Sequence, residues 1–240
     1  MRLGIFLVAL SALIYLIHYA IFRDAHHIFL YMIGDIAFIP VEVLLVTVII
    51  HRLLEIREKR IRLEKLNMVI GVFFSEMGTK LLTYYSDSDP MLDSIRKNLV
   101  VTNNWSEQEF ASMNKRLKEY EYSVEIQKID LEDLRAFLIG ERKFLLRLLE
   151  NPYLLEHEAF TDLVEAVLHL TEELSARKGL KGLPETDRKH LAGDIRRSYS
   201  LLVHQWLDYM RHIKDNYPYL FSLAMRTNPF DEDASPLITS

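Results

Sequence analysis

Two apolar stretches of roughly twenty residues stand within the first fifty positions, from about Leu3 to Phe22 and from about Ile28 to Ile50. Each is long enough to cross ~30 Å of hydrocarbon as a helix. A pair of such segments commits a chain either to a bilayer or to a very large apolar core. Everything after His51 changes character, becoming charged, Leu-rich and helical in periodicity. The expected fold is therefore all-α: a two-span transmembrane helical hairpin (residues 1–50), a cytoplasmic α-helical bundle (51–226) and a flexible tail (227–240).

Arg2 followed by Leu3 to Leu13 imitates a signal peptide, but the apolar run continues to Ile21 and no small-x-small cleavage site follows, so retention of the first span is expected. Orientation follows from the flanks. The link Arg23 to His27 holds one fixed positive charge, whereas Arg52, Arg57, Lys59, Arg60, Arg62 and Lys65 crowd beyond the second span. The positive-inside tendency then places both termini in the cytoplasm and the protein in the cell membrane. Tyr19, Phe22, Phe29 and Tyr31 flank the outer link, where amphipathic rings suit the membrane boundary.

Asp35 and Glu42 interrupt the second apolar stretch, with Pro40 between them. Their spacing is about two helical turns, which sets both acids on one face. A carboxylate in hydrocarbon costs several kcal/mol unless paired or hydrated, so such acids mark a polar pathway or a buried contact. Pro40 has no N–H for the carbonyl of Ile36, which predicts a kink and a freed oxygen nearby. Stacked acidic rings of this kind line cation-selective pores when several subunits share an axis. The competing reading makes Asp35 a partner of Tyr15, His18 or His27 and Glu42 an interhelical contact.

No Gly or Pro breaks Val41 to Ile70, so the second span is expected to continue as one helix to about Tyr85. Leu66, Ile70, Phe73, Met77 and Leu81 form its apolar seam. Gly71, Ser75 and Gly78 repeat the same spacing with small side chains, which predicts close helix packing. Beyond them, helices are expected over residues 90–101, from Ser106 with its capping partner Glu109 to Tyr122, over 131–150 capped by Asp130, over 155–177, over 185–215, and from Pro218 to Arg226. Trp105 and Trp206 read as core residues.

Two helices repeat ligand-type residues every four positions: Glu165, His169 and Glu173 on one, His204, Asp208 and His212 on the next. Neither triplet surrounds an ion alone, since its ends lie about 12 Å apart, but two facing helices could supply four ligands. Exposed ion pairs explain the pattern more simply, so no metal and no cofactor is expected. The chain has no cysteine, carries a net charge of −5, and shows no phosphate loop, dinucleotide fingerprint or hydrolase elbow. An enzyme and a nucleic-acid partner are therefore not expected. Two function classes lead: a homo-oligomeric membrane channel with a cation pathway lined by Asp35 and Glu42, or a membrane-anchored helical interaction or sensor module; a metal-dependent helical bundle is a third. Expected partners are further copies of the chain, membrane lipids and cations.

Overall fold

The computed structural model describes residues 2–154 and 157–238. It is all-α, with no strand among the described residues. The chain divides into two units, 1–61 and 62–240.

The first unit contains α1 (Arg2–Phe22) and the beginning of α2 (Ala25–Phe73). Its turn is local chemistry. Arg23 takes φ 50°, a left-handed conformation that ends α1, and its N–H donates to the carbonyl of Tyr19 at 2.8 Å. Asp24 then accepts from the N–H of His27 at 3.1 Å and opens α2. Helix α2 continues through Pro40. Both helices are long and apolar, and no described residue of this unit is buried: Leu3 is 71% exposed and Leu44 62%.

The second unit has a closed apolar core. Helix α2 passes into a π-helical turn, Phe74–Gly78, and then α3 (Thr79–Ser86). Helices α4 (Glu107–Glu119), α5 (Leu131–Leu149), α6 (Glu158–Ala176), α7 (Glu185–Asn216) and α8 (Pro218–Arg226) follow. α7 lies at the centre, packed against α3, α4, α6 and α8, while α5 covers α6. Leu191, Ile195, Tyr199, Leu202, Trp206 and Met210 of α7 are all buried, as are Phe160, Leu163, Val167 and Leu170 of α6. Such a stripe, wide enough to touch several neighbours, is what a central bundle helix requires.

Local capping behaves as the sequence predicts. Ser106 and Glu109 form the reciprocal capping box, and the Asp130 carboxylate accepts from the N–H groups of Glu132 and Asp133. Three departures are seen, two of them with a clear physical cause. The π turn replaces regular α-helix because Gly78 leaves room for the rings of Phe73 and Phe74, and both the N–H and hydroxyl of Thr79 donate to the carbonyl of Phe74. Residues 90–101 form two 3-10 turns, Leu92–Ser94 and Arg96–Leu99, in place of one helix. Helix α4 stops at Glu119, short of Tyr122, because Tyr120 turns out of the helix and donates its hydroxyl to Asp89 at 2.7 Å. Helix α6 begins at Glu158; the expected start at Leu155 lies outside the described residues.

The segment after α8, expected to hang free, is docked at its beginning. Asn228 and Phe230 are fully buried, and the amide of Asn228 donates to the carbonyl of Leu99 at 2.9 Å. Phe230 sets its ring against Trp206, with centroids 4.9 Å apart. An apolar ring anchored by a buried amide offsets the entropy of ordering the segment.

Candidate functional site

On α2, Asp35 and Glu42 are both exposed among apolar neighbours, Ile36, Phe38, Ile39, Val41 and Val43. Neither carboxylate has a hydrogen bond or ion pair among the described residues. Of the expected partners Tyr15, His18 and His27, none hydrogen-bonds to Asp35 among the described residues; His27 packs on Tyr31 with centroids 4.6 Å apart, and His18 on Phe22 at 4.8 Å. Pro40 lies inside the continuous helix beside these acids.

The three small residues part company. A Cβ at Gly71 would meet Tyr209 of α7 at 3.6 Å, an ordinary contact, while Ser75 is exposed. A Cβ at Gly78 would lie 2.7 Å from Phe74 and 2.8 Å from Phe73, so this glycine serves the π turn itself.

His204, Asp208 and His212 are each engaged separately. Nδ1 of His204 lies 3.2 Å from Oδ1 of Asn114, and Asp208 pairs with Arg211 at 3.5 Å. Nδ1 of His212 lies between the amide nitrogens of Asn67 and Asn216, at 3.1 and 3.2 Å. Facing two donors, that nitrogen accepts, which assigns the ring proton to the buried Nε2. Burial holds both imidazoles below the ordinary histidine range, opposed by the carboxylates of Asp208 at His204 and of Asp215 and Glu64 at His212; Lys118 also lowers His204. An unfolded chain protonates these rings near pH 6.5 while the folded one still resists, so acidification below that pH favours unfolding. Stability of the wild type should therefore fall between about pH 7 and 5, and His204→Gln should flatten part of that slope. Chemical denaturation at several pH values measures it; parallel slopes for the two proteins would contradict the assignment.

The other ligand-rich helix meets a different partner. His169 and Glu173 of α6 face His190 and Asp194 from the first turns of α7. Nε2 of His169 lies 3.9 Å from Oε1 of Glu173 and 3.8 Å from Oδ1 of Asp194. For His190 the corresponding distances are 3.5 Å to Oε2 of Glu173 and 3.4 Å to Oδ2 of Asp194. Arg177 steadies one corner, since its guanidinium donates to Oε2 of Glu173 at 2.7 Å and to both oxygens of Asp187 at 2.9 and 2.6 Å. That hydrogen bond, with the charge of Arg177, holds the Glu173 carboxyl below its usual range. His190 and Asp194 escape a reading that looks only for triplets, but H-x3-E and H-x3-D on successive helices are the legible signal.

A third polar group lies at Asp89. Its carboxylate, buried in the loop after α3, accepts from the N–H of Met91 and the hydroxyl of Tyr120, and burial raises its pKa. Tying the loop to the end of α4 accounts for it.

Residues 62–226 match the family model described as "Uncharacterized protein MJ1433, C-terminal helical domain", and residues 1–54 match "MJ1433, N-terminal helical domain". Uncharacterized protein MJ1433 of Methanocaldococcus jannaschii is 47% identical over 229 residues, covering 95% of this chain and 92% of that protein. No solved structure matches the chain. With both helical domains matched and nearly the whole length aligned, the chain belongs to the MJ1433 family.

Proposed function

We propose that the protein is a two-span membrane protein whose helical bundle acts as a binding module held at the cytoplasmic face. One observation carries this reading: no described residue of 3–61 is buried, although α1 and the part of α2 up to Ile50 are apolar. Fully covering a Leu, Ile or Phe side chain is worth about 1.5–3 kcal/mol, so leaving some twenty in water would cost tens of kcal/mol. A bilayer removes that cost. The bundle, by contrast, satisfies its own apolar core. The basic residues from Arg52 to Lys65 support a cytoplasmic side for it.

Because the sequence lacks cysteine, single substitutions report topology without background. Ala25→Cys should react with an impermeant maleimide in intact cells, and Ser112→Cys only after permeabilisation. Release of the protein from membranes by alkaline carbonate, or labelling of Ser112→Cys in intact cells, would refute the topology.

A second reading is favoured by the unpartnered Asp35 and Glu42. Two spans cannot enclose a pore, so a homo-oligomer would set these acids in rings around a cation pathway, with Pro40 shaping the helix. Glu42→Gln keeps the side-chain shape and removes the charge. Cation flux through reconstituted vesicles is expected to fall about tenfold or more with oligomer size unchanged. A monodisperse monomer in nanodiscs, with no flux in the wild type, would end that reading.

A further inference from the structure

We propose that His169, Glu173, His190 and Asp194 form a binding site for one divalent transition-metal ion of the zinc class, half supplied by α6 and half by α7. Each helix contributes an imidazole and a carboxylate four residues apart, the spacing that places two side chains on one helical face. The eight-residue connection 177–184 folds α7 back along α6, so the two pairs confront each other.

Distances separate this arrangement from ordinary ion pairs. A protonated histidine on a carboxylate makes a hydrogen bond of about 2.7–2.9 Å. Here the four nitrogen-to-oxygen distances are 3.9, 3.8, 3.5 and 3.4 Å. None of the four has hydrogen-bond geometry, and Oδ2 of Asp194, in a side chain only 16% exposed, is buried with no hydrogen-bond partner, its nearest cationic group being Nε2 of His190 at 3.4 Å. Ligands at about 2.0–2.1 Å from a tetrahedral zinc ion stand roughly 3.3 Å from one another. The observed distances, 3.4 to 3.9 Å, are longer than that and run to both oxygens of each carboxylate, so the side chains would close in on an ion through one oxygen each. Ligand atoms of Glu173, His190 and Asp194 all lie within 4.8 Å of one another. His169 stands outside that triad, 3.9 Å from Oε1 of Glu173 and 3.8 Å from Oδ1 of Asp194, and a rotation of its side chain would bring it in as the fourth ligand.

The surroundings fit the same purpose. Arg177 holds Glu173 while Asp187 holds Arg177, the kind of outer support that orients a ligating carboxylate. Two imidazoles with two carboxylates and no thiolate suit zinc, cobalt or nickel rather than calcium or magnesium, which take oxygen ligands. Both histidine side chains are about half exposed, so an ion would enter and leave from solvent. A site loaded reversibly gives the bundle something to sense. The geometry stands apart from the membrane reading, and either can fail alone.

The test uses the full chain, free of any histidine tag, in mild detergent after chelator treatment. Titration with Co2+, followed by its visible absorption, and competition by Zn2+ should show about one equivalent in a tetrahedral environment. His190→Ala and His169→Ala should each weaken binding at least ~100-fold, beyond the effect of losing an outer-sphere partner. His204→Ala should leave it unchanged. Far-UV circular dichroism of the metal-free variants keeps loss of a ligand distinct from loss of fold, and His169→Ala serves if His190→Ala is unfolded. Zn2+ should raise the melting temperature of the wild type and not of the ligand variants. Absence of saturable Co2+ or Zn2+ binding in the wild type, or binding unchanged in the His169→Ala/His190→Ala double variant, would overturn the proposal.

Discussion

Phe230→Ala is expected to destabilise the bundle by about 3–5 kcal/mol, the range for removing a buried aromatic ring. The ring is 0% exposed and sits edge-on to Trp206 of the central helix. Its backbone N–H donates to Oδ1 of Asn228, whose amide in turn reaches the carbonyl of Leu99. Loss of the ring therefore opens a cavity against α7 and loosens the polar anchor beside it. Urea unfolding of the detergent-solubilised chain, followed by tryptophan fluorescence, measures the change. A free tail would give an effect within about 0.5 kcal/mol, as for other exposed substitutions, so a shift that small would show that the segment is not docked.

The second large effect concerns two glycines in one helix. Replacing a mid-helix glycine by alanine ordinarily stabilises by about 0.5–1 kcal/mol. At Gly71 the new methyl meets Tyr209 at 3.6 Å, and the ordinary gain is expected. At Gly78 the sign reverses. The methyl would fall 2.7 Å from the ring of Phe74 and 2.8 Å from that of Phe73. Neither ring has room to retreat: Phe73 is set against Phe160 with centroids 5.3 Å apart, and Phe74 stacks on Tyr209 at 5.0 Å. Overpacking of this kind costs about 1–3 kcal/mol, which exceeds the helix-propensity gain. Thermal melts of Gly71→Ala and Gly78→Ala should move in opposite directions, and equal shifts would remove the case for a sterically enforced π turn.

What could be read from the sequence was mostly local. The caps at Ser106 and Asp130 work through side chains two or three residues from the amides they satisfy, so a short window holds all the information. The seam Leu66, Ile70, Phe73, Met77 and Leu81 is buried throughout. It gave no hint of the π turn, because the same spacing fits an unbroken α-helix and the turn depends on rings brought up by α6 and α7. The docking of Phe230 was hidden for a similar reason: a single aromatic after a proline has no periodicity, and its partner Trp206 is distant in sequence. At the histidine cluster the missing step was topological. A short loop makes residues about equally far from it meet across an antiparallel pair, so Glu173 faces His190 and His169 faces Asp194, whereas His204 and His212 lie too far along α7. Asp35, Pro40 and Glu42 were legible as residue types, but the surroundings of their side chains depend on what covers α2, which no local pattern encodes.

The hydroxyl of Ser198 donates to that of Tyr85 at 3.0 Å in the core, across 113 residues of sequence. A ribosome adding about 5–20 residues per second needs roughly 6–23 s to pass from one to the other. During that interval Phe73, Phe74, Met77 and Leu81 exist without the central helix that covers them in the folded bundle. Nascent chains of this protein are thus expected to be clients of a holding chaperone until α7 emerges, and a chain truncated before Leu191 should aggregate in mild detergent where the full chain stays dispersed.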